Sequence, residues 1–120
     1  MRLFDAYLEN LEQSLPQLSV AELKQWQEDQ LDFILIDVRQ ADEFVQGHIP
    51  GAINIPRPEL EASIETILAA PNQVIVVHCT DRGRAQLVCH ILRDMGLDSS
   101  VLSGGYQAWI ESTQESESAA

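Results

Sequence analysis

Residues 74–88 read VIVVHCTDRGRAQLV, an apolar run that leads through a short polar loop into a helix-like stretch. A second apolar run, Phe33–Val38, has the same near-continuous hydrophobicity. Runs of this kind are typical of strands that are buried on both faces of a parallel sheet. Weaker strand signals surround residues 52–55 and 100–102, and helix-like stretches separate the strands. The alternation predicts an α/β fold with a parallel sheet.

Apolar spacing and helix start signals predict the helices. Ser19 and Glu22 have the spacing of a capping box, which indicates a helix over 20–29. Ahead of Pro16, apolar residues recur at helical spacing: Phe4, Leu8, Leu11 and Leu15. The other predicted helices cover 41–46, 58–69, 83–95 and 105–110.

Composition divides the chain into three parts. Residues 1–16 carry the amphipathic helix, 17–111 contain the predicted strands, and 112–120 are polar, acidic and rich in small residues. Segments of low hydrophobicity do not bury enough apolar surface to stay ordered. We therefore expect an N-terminal helix, one domain over 17–111 and a disordered acidic tail over 112–120.

The chain of 120 residues has 19 acidic against seven basic side chains and a net charge of −12. Nucleic acids and anionic membrane surfaces bind basic proteins, so neither is expected as a partner. Asp5 and Glu9 stand where a signal peptide would be apolar, and no segment reaches the roughly 18 apolar residues of a membrane span. Two cysteines do not make a disulfide framework. We expect a cytoplasmic protein.

Cys79 is the strongest candidate for chemistry, because it lies between a predicted strand and the start of a predicted helix. Sites in parallel sheets form at the carboxyl ends of strands. Backbone amides and the helix dipole at such a position favour the thiolate, which is the reactive form. Arg82 and Arg84 add positive charge and indicate a local anion site. The alternative is an inert, buried cysteine, which is also the interpretation we favour for Cys89 inside the following helix.

The histidines are weaker candidates. His78 precedes Cys79 on a strand, where neighbouring side chains point to opposite faces, so it is a poor general base for the thiol. His48 lies in the turn-rich segment GHIPG, where a structural role is expected. The cysteines and histidines lack the spacing of zinc ligands, so no metal site is expected.

Asp37 and Arg39 end the first apolar strand at the same edge of the predicted sheet. We expect Asp37 to accept hydrogen bonds from loop amides and Arg39 to pair with Glu43. In this interpretation Asp37 stabilises a loop and Arg39 makes an ion pair at the start of a helix.

Three signatures, taken together, resemble those of the rhodanese (sulfurtransferase) family. The first is LIDVR at 35–39 with Glu43-Phe44 and GHIPGAINIP at 47–56, the second is CTDRGRA at 79–85, and the third is LSGGYQAW at 102–109. They occur in the family's order and spacing over about residues 18–111. The match therefore extends over nearly the whole chain.

The resemblance implies a three-layer fold with a central five-stranded parallel sheet flanked by helices. It also implies a single-domain thiosulfate sulfurtransferase in which Cys79 takes a sulfane sulfur as a persulfide and passes it to cyanide, a thiol or a protein. The implied substrate-binding loop consists of Thr80, Asp81, Arg82, Gly83 and Arg84. Asp37, Arg39 and His48 would support it. No metal or organic cofactor is implied, and we expect a monomer or a weak homodimer.

One loop position departs from the family pattern, and two other functions compete. Arg82 stands where the pattern has glycine, which costs about 1–2 kcal/mol if that position has positive φ, unless Gly83 makes the turn. The related phosphatases and arsenate reductases have His-Cys-x₅-Arg, whereas here Arg84 comes one residue early and Ala85 takes that place. The other alternative is a persulfide carrier or interaction module, whose N-terminal helix contacts a protein partner or packs on its own domain.

Overall fold

The described residues of the computed structural model are 2–67, 74–80 and 83–119. Within them, five strands form one parallel sheet in the order β1-β5-β4-β2-β3. The strands are β1 (Gln17–Leu18), β2 (Phe33–Asp37), β3 (Ile53–Asn54), β4 (Val74–His78) and β5 (Asp98–Leu102). The predicted α/β fold with a five-stranded parallel sheet is confirmed.

Helices cover both faces of this sheet, as the alternating pattern requires. They are α1 (Arg2–Ser14), α2 (Val20–Glu28), α3 (Ala41–Gln46), α4 (Leu60–Ile67), α5 (Gly83–Asp94) and α6 (Gly105–Ala119), with a 3₁₀ turn at Arg57–Glu59. Ser19 and Glu22 form the predicted capping box at the start of α2. No helix in the described ranges combines the length and apolar character needed to span a membrane.

The two apolar runs form β2 and β4, which pair side by side near the middle of the sheet. Side chains alternate along a strand, so each strand contributes to two separate cores. Leu35 and Val76 pack with residues of α2 and α6, whereas Ile36 and Val77 pack with α1 and α5. Burial on both faces explains why neither strand shows an alternating polar pattern.

The short edge strand β1 was not predicted as a strand. It has two residues, which pair with Val101 and Leu102 of β5. A segment this short has no period to detect, and its pairing is fixed by the strand it meets rather than by its own sequence.

The end of the chain differs from the expected disordered tail over 112–120, because α6 continues to Ala119. No glycine or proline interrupts the helix after Gly105. Two hydrogen bonds hold its middle: the Thr113 hydroxyl donates to the Trp109 carbonyl at 3.0 Å, and Lys24 donates to the Ser112 hydroxyl at 2.8 Å. The helix is thus anchored to α2 beyond the predicted domain limit.

Helix α1 packs on its own domain through its second half. Leu11 and Leu15 are 6% and 7% exposed and belong to the core that also contains α5 residues. Leu3, by contrast, is 87% exposed, and Phe4 is half exposed. Of the two roles considered for this helix, packing on its own domain is the one observed for its second half.

Replacing Leu11 by alanine should therefore lower the free energy of unfolding by roughly 2–4 kcal/mol, because it leaves a cavity in the core. Leu3→Ala on the same helix is the matched control and should change stability by less than about 0.5 kcal/mol. Urea denaturation of both variants measures the difference. Equal stability of the two variants would show that α1 is not part of the core.

Candidate active site

The carboxyl ends of the central strands bring several polar side chains together. Asp37 and His78 end β2 and β4 and are paired in register, and Asn54 of β3 lies beside Asp37. The Asn54 side-chain amide donates to the backbone carbonyls of Asp37 and Arg39, both at 3.0 Å. In a parallel sheet this edge is where sites form.

Asp37 and Arg39 make a buried ion pair at this edge. The Asp37 carboxylate accepts from Nη2 of Arg39 at 2.7 Å, from Nε at 3.0 Å, and from the Arg39 backbone amide at 2.9 Å. Burial opposes the positive charge, but the hydrogen bonds and attraction from Asp37 outweigh it and raise the pKa of Arg39. The expected loop-amide bond to Asp37 is present.

The expected direct ion pair of Arg39 with Glu43 is not formed, although the attraction of Glu43 adds to the raised pKa of Arg39. The Arg39 guanidinium folds back onto Asp37, two residues earlier, and its Nη2 also donates to the Gly47 carbonyl at 2.8 Å. Its central carbon lies 4.2 Å from the centre of the Tyr106 ring, a cation–π contact. A Cβ at Gly47 would come within 2.7 Å of the Tyr106 hydroxyl, so a side chain there would displace this ring.

Cys79 follows β4 directly and is fully buried. Its carbonyl accepts from the Tyr106 amide at 2.8 Å, and the Thr80 carbonyl accepts from the Gln107 amide at 3.4 Å. The first turn of α6 thereby holds the backbone at and after Cys79. The close packing of this first turn depends on Gly104, which has φ +76°. A Cβ at Gly104 would lie 2.6 Å from the Cβ of Ala108.

The remainder of the loop is described only in part. Gly83 begins α5, and Arg84 lies half-buried in its first turn. Asp81 and Arg82 lie outside the described residues. The amide cradle over 80–84 and the backbone conformation at Arg82 therefore stay predictions.

Cys89 is buried inside α5, as predicted. Its sulfur contacts the Ser99 hydroxyl oxygen at 3.2 Å, and that hydroxyl donates to the Cys89 carbonyl at 3.1 Å. Burial raises the pKa of the Cys89 thiol, which disfavours the thiolate. Neither Cys79 nor Cys89 is in a disulfide.

The two histidines of the sheet edge have structural positions. His78 is fully buried, with Nε2 3.9 Å from the Asp37 carboxylate, and burial lowers its pKa to about 4. The exposed His48 donates from Nδ1 to the Phe44 carbonyl at 2.8 Å and stacks on the Phe44 ring at 3.8 Å. His48 thus braces the end of α3.

A cleft of about 360 Å³ lies beside the cysteine loop, between α3 and α6. Its lining includes Glu43, Gln46, Thr80, Tyr106 and Ile110. The Glu43 carboxylate accepts from the Gln40 amide at 3.1 Å and from the Thr80 hydroxyl at 3.4 Å. Sequence reasoning placed Glu43 on Arg39 and therefore missed this contact with the residue after Cys79.

Within the described residues, no group of three or more histidine, cysteine or acidic side chains could hold a metal ion.

The family model for the rhodanese-like domain matches residues 19–112. The chain belongs to the rhodanese-like family. The putative sulfurtransferase YtwF of Bacillus subtilis is 30% identical over 95 residues, which cover 79% of this chain and 90% of YtwF. The thiosulfate sulfurtransferase PspE of Escherichia coli is 34% identical over 70 residues, which cover 58% of this chain and 67% of PspE.

A solved structure of similar shape comes from Rhodopseudomonas palustris, a protein of unknown function described as a possible tyrosine phosphatase. It has a TM-score of 0.83 and 25% identity, and the match covers 94% of this chain and 92% of that one. The rhodanese-like fold is therefore shared with a protein for which different chemistry has been considered.

The three rhodanese signatures converge at one edge of the sheet. The first contributes Asp37 and Arg39, the second Cys79, and the third Tyr106. Hydrogen bonds and the Arg39–Tyr106 contact join them, although they are far apart in sequence. The resemblance seen in the sequence thus corresponds to a contiguous site.

The buried His78 should make this rhodanese-like domain sensitive to acid. An unfolded histidine has a pKa near 6.5, so the unfolded chain takes up the proton first as the pH falls toward the folded value of about 4. Stability from the neutral ring is complete above pH 6.5 and is lost below it. His78→Asn should reduce the loss of unfolding free energy between pH 7 and pH 4 by about 2–3 kcal/mol.

His90→Gln is the control, because the His90 side chain on α5 is 41% exposed, whereas His78 is fully buried. Urea denaturation at both pH values should show an almost unchanged pH dependence for this variant. The assignment to His78 is wrong if His78→Asn and the parent protein lose the same stability on acidification.

Proposed function

We propose that the protein is a sulfurtransferase that moves a sulfane sulfur from an anionic donor such as thiosulfate to a thiophilic acceptor through a persulfide on Cys79. The observation that carries the proposal is the position of Cys79 between the end of β4 and the first turn of α5. Family membership supports the same reaction class. The position favours a thiolate, since helix starts present unpaired amides and a positive dipole end.

The reaction has two displacements at sulfur. The Cys79 thiolate attacks the outer sulfur of thiosulfate, the sulfur–sulfur bond of the donor breaks, and sulfite leaves with the electron pair. The acceptor thiolate then attacks the terminal sulfur of the Cys79 persulfide. The new bond forms on the acceptor, and Cys79 leaves as the thiolate, ready for another cycle.

No general base next to Cys79 is needed if the thiol is already ionised. His78 does not supply one, because a pKa of about 4 makes its ring a weak base and the ring lies beside Asp37. Residues 80–84 are proposed to bind the donor anion through their amides, with Arg84 adding a full positive charge. A metal or organic cofactor has no part in either displacement.

The persulfide is tested directly by incubating the reduced protein with thiosulfate and measuring its intact mass. We expect a gain of one sulfur atom in the parent protein and none in Cys79→Ser. Cys89→Ala is the matched control: it should keep the adduct and lose stability on the order of 1 kcal/mol, since it removes a small buried group.

An inert core cysteine would be as buried as Cys79, and the mass measurement separates the two interpretations. No mass gain in the folded parent protein would overturn the proposal. Equal loss of turnover in Cys79→Ser and Cys89→Ala, at equal stability, would instead make Cys89 a participating thiol.

A phosphatase is the second candidate, favoured by the similar Rhodopseudomonas palustris protein. The loop argues against it, because Arg84 comes five residues after Cys79 where phosphatase loops have six. A tetrahedral phosphate needs the longer loop with arginine closing it. The phosphatase would be supported if the protein releases phosphate from an aryl phosphate, if this release requires Cys79, and if thiosulfate forms no persulfide.

Arg84 should matter for the donor in particular. A charge-assisted contact contributes about 1.5–3 kcal/mol, so Arg84→Ala should lower kcat/KM for thiosulfate by roughly ten- to a hundredfold. Arg84→Lys should restore only part of the rate, because a point charge does not reproduce the planar guanidinium. Steady-state kinetics with varied thiosulfate measure both.

Arg93→Ala is the control, since it removes the same charge from the last turn of α5. It should change kcat/KM by less than about twofold, as screening is strong beyond a Debye length of about 10 Å. An unchanged rate in Arg84→Ala would show that the loop amides hold the anion alone.

A further inference from the structure

The cleft between α3 and α6 adjoins Cys79 through two of its lining residues. Thr80 is the next residue in the chain, and the Tyr106 amide donates to the Cys79 carbonyl. A molecule in the cleft therefore lies against the backbone that carries the nucleophile. Its volume of about 360 Å³ is at the lower end of the range for small-molecule sites.

The charge of this cleft is set by Glu43. Arg39 also lines it, but its guanidinium is buried and neutralised by Asp37. Both oxygens of the Glu43 carboxylate accept neutral donors, the Gln40 amide and the Thr80 hydroxyl, so neither bond cancels its charge. The lining holds one positive and one negative side chain, Arg39 and Glu43, which attract each other. When the buried Asp37 that pairs with Arg39 is counted with them, the cluster has a net negative charge.

We propose that this cleft binds the sulfur acceptor and that Glu43 selects small thiols that carry a positive charge close to the sulfur. The inference rests on the proposed sulfur transfer, and it assigns the second substrate by its charge. The acceptor thiolate attacks the terminal sulfur of the persulfide, while its ammonium group lies near the Glu43 carboxylate. The small cleft volume favours a small thiol over a protein segment.

Three thiols that share a two-carbon spacer between the sulfur and the terminal group test the selection: cysteamine, which is cationic, 2-mercaptoethanol, which is neutral, and 3-mercaptopropionate, which is anionic. The protein is first loaded with thiosulfate and freed of excess donor, and loss of the persulfide is then followed by mass. Comparing Glu43→Gln with the parent protein for each thiol cancels the thiols' different intrinsic reactivities. Glutamine retains a carbonyl oxygen that can accept from the Gln40 amide.

We expect Glu43→Gln to slow discharge by cysteamine about fivefold, to change discharge by 2-mercaptoethanol less than twofold, and to speed discharge by 3-mercaptopropionate about threefold, the size expected for one partly screened charge. Raising the salt concentration should reduce these differences. Asp42→Asn is the matched control, because it removes an exposed neighbouring charge outside the cleft lining and should change each rate less than twofold.

A uniform change with all three thiols would overturn charge selection and make Glu43 a positioning residue that acts through Thr80. Thr80→Val separates these cases, since it removes the hydroxyl but keeps the carboxylate. The ratio of cysteamine to 3-mercaptopropionate rates should survive in that variant if charge selects. Discharge by a basic, cysteine-containing peptide far faster than by cysteamine would overturn the small thiol as occupant.

Failure of the proposed sulfur transfer can be told apart from failure of charge selection, because formation of the Cys79 persulfide is measured before any acceptor thiol is added. Independently of sulfur transfer, Cys79 in the Cys89→Ala background can be modified with cationic and anionic methanethiosulfonates of equal length. The cationic reagent should react faster, and Glu43→Gln should reduce its advantage about fivefold. An advantage that Glu43→Gln leaves unchanged would overturn the role of Glu43.

Discussion

The buried pair of Asp37 and Arg39 is the interaction on which the site geometry depends. Desolvating two charges is costly, and the cost is offset only when geometry is good and the remaining donors are satisfied. Here the carboxylate accepts from Nε, Nη2 and the backbone amide of Arg39, and Nη2 also donates to Gly47. The guanidinium thereby links the end of β2 to the end of α3.

From this pair, contacts extend to the nucleophile. The Arg39 guanidinium stacks on Tyr106, and the amide of that same residue donates to the Cys79 carbonyl. The start of α6 is thus fixed on one side by the ion pair and on the other by the cysteine loop. A shift of the Tyr106 ring would disturb both the ion pair and the cysteine loop. Glycine at position 47 leaves room for this ring, because a side chain there would collide with the ring hydroxyl.

Local patterns predicted the fold well, and tertiary contacts account for the differences. The runs at β2 and β4 and the Ser19 capping box are local signals, and all three are confirmed. Edge strand β1 was missed because two residues carry no period. The length of α6 was missed because acidic composition was taken to indicate disorder, whereas a segment without glycine or proline continues the helix.

In the site, too, local sequence patterns were predictive and tertiary contacts were not. The place of Cys79 follows from a strand, a loop and a helix that are adjacent in sequence, so it could be predicted. The partners of Arg39 and Glu43 could not, because side chains near a helix start have several partners within reach. The Arg39 guanidinium donates to the carboxylate of Asp37, two residues earlier, and the Glu43 carboxylate accepts from Thr80, 37 residues later.

A positive charge from Arg84 at the start of α5 and a negative charge from Glu43 beside Thr80 would suit the proposed reaction, in which two substrates bind in turn. In the proposed reaction the donor is an anion and so is the leaving sulfite, which must depart before the acceptor attacks. Positive groups at the start of α5 would hold the donor, while the negative charge of Glu43 and of the chain as a whole favours release of sulfite. The same negative charge discourages a second anion from entering as acceptor. An acidic protein can therefore use an anionic donor, provided that the positive charge is confined to the loop and the acceptor reaches the persulfide from the acidic side.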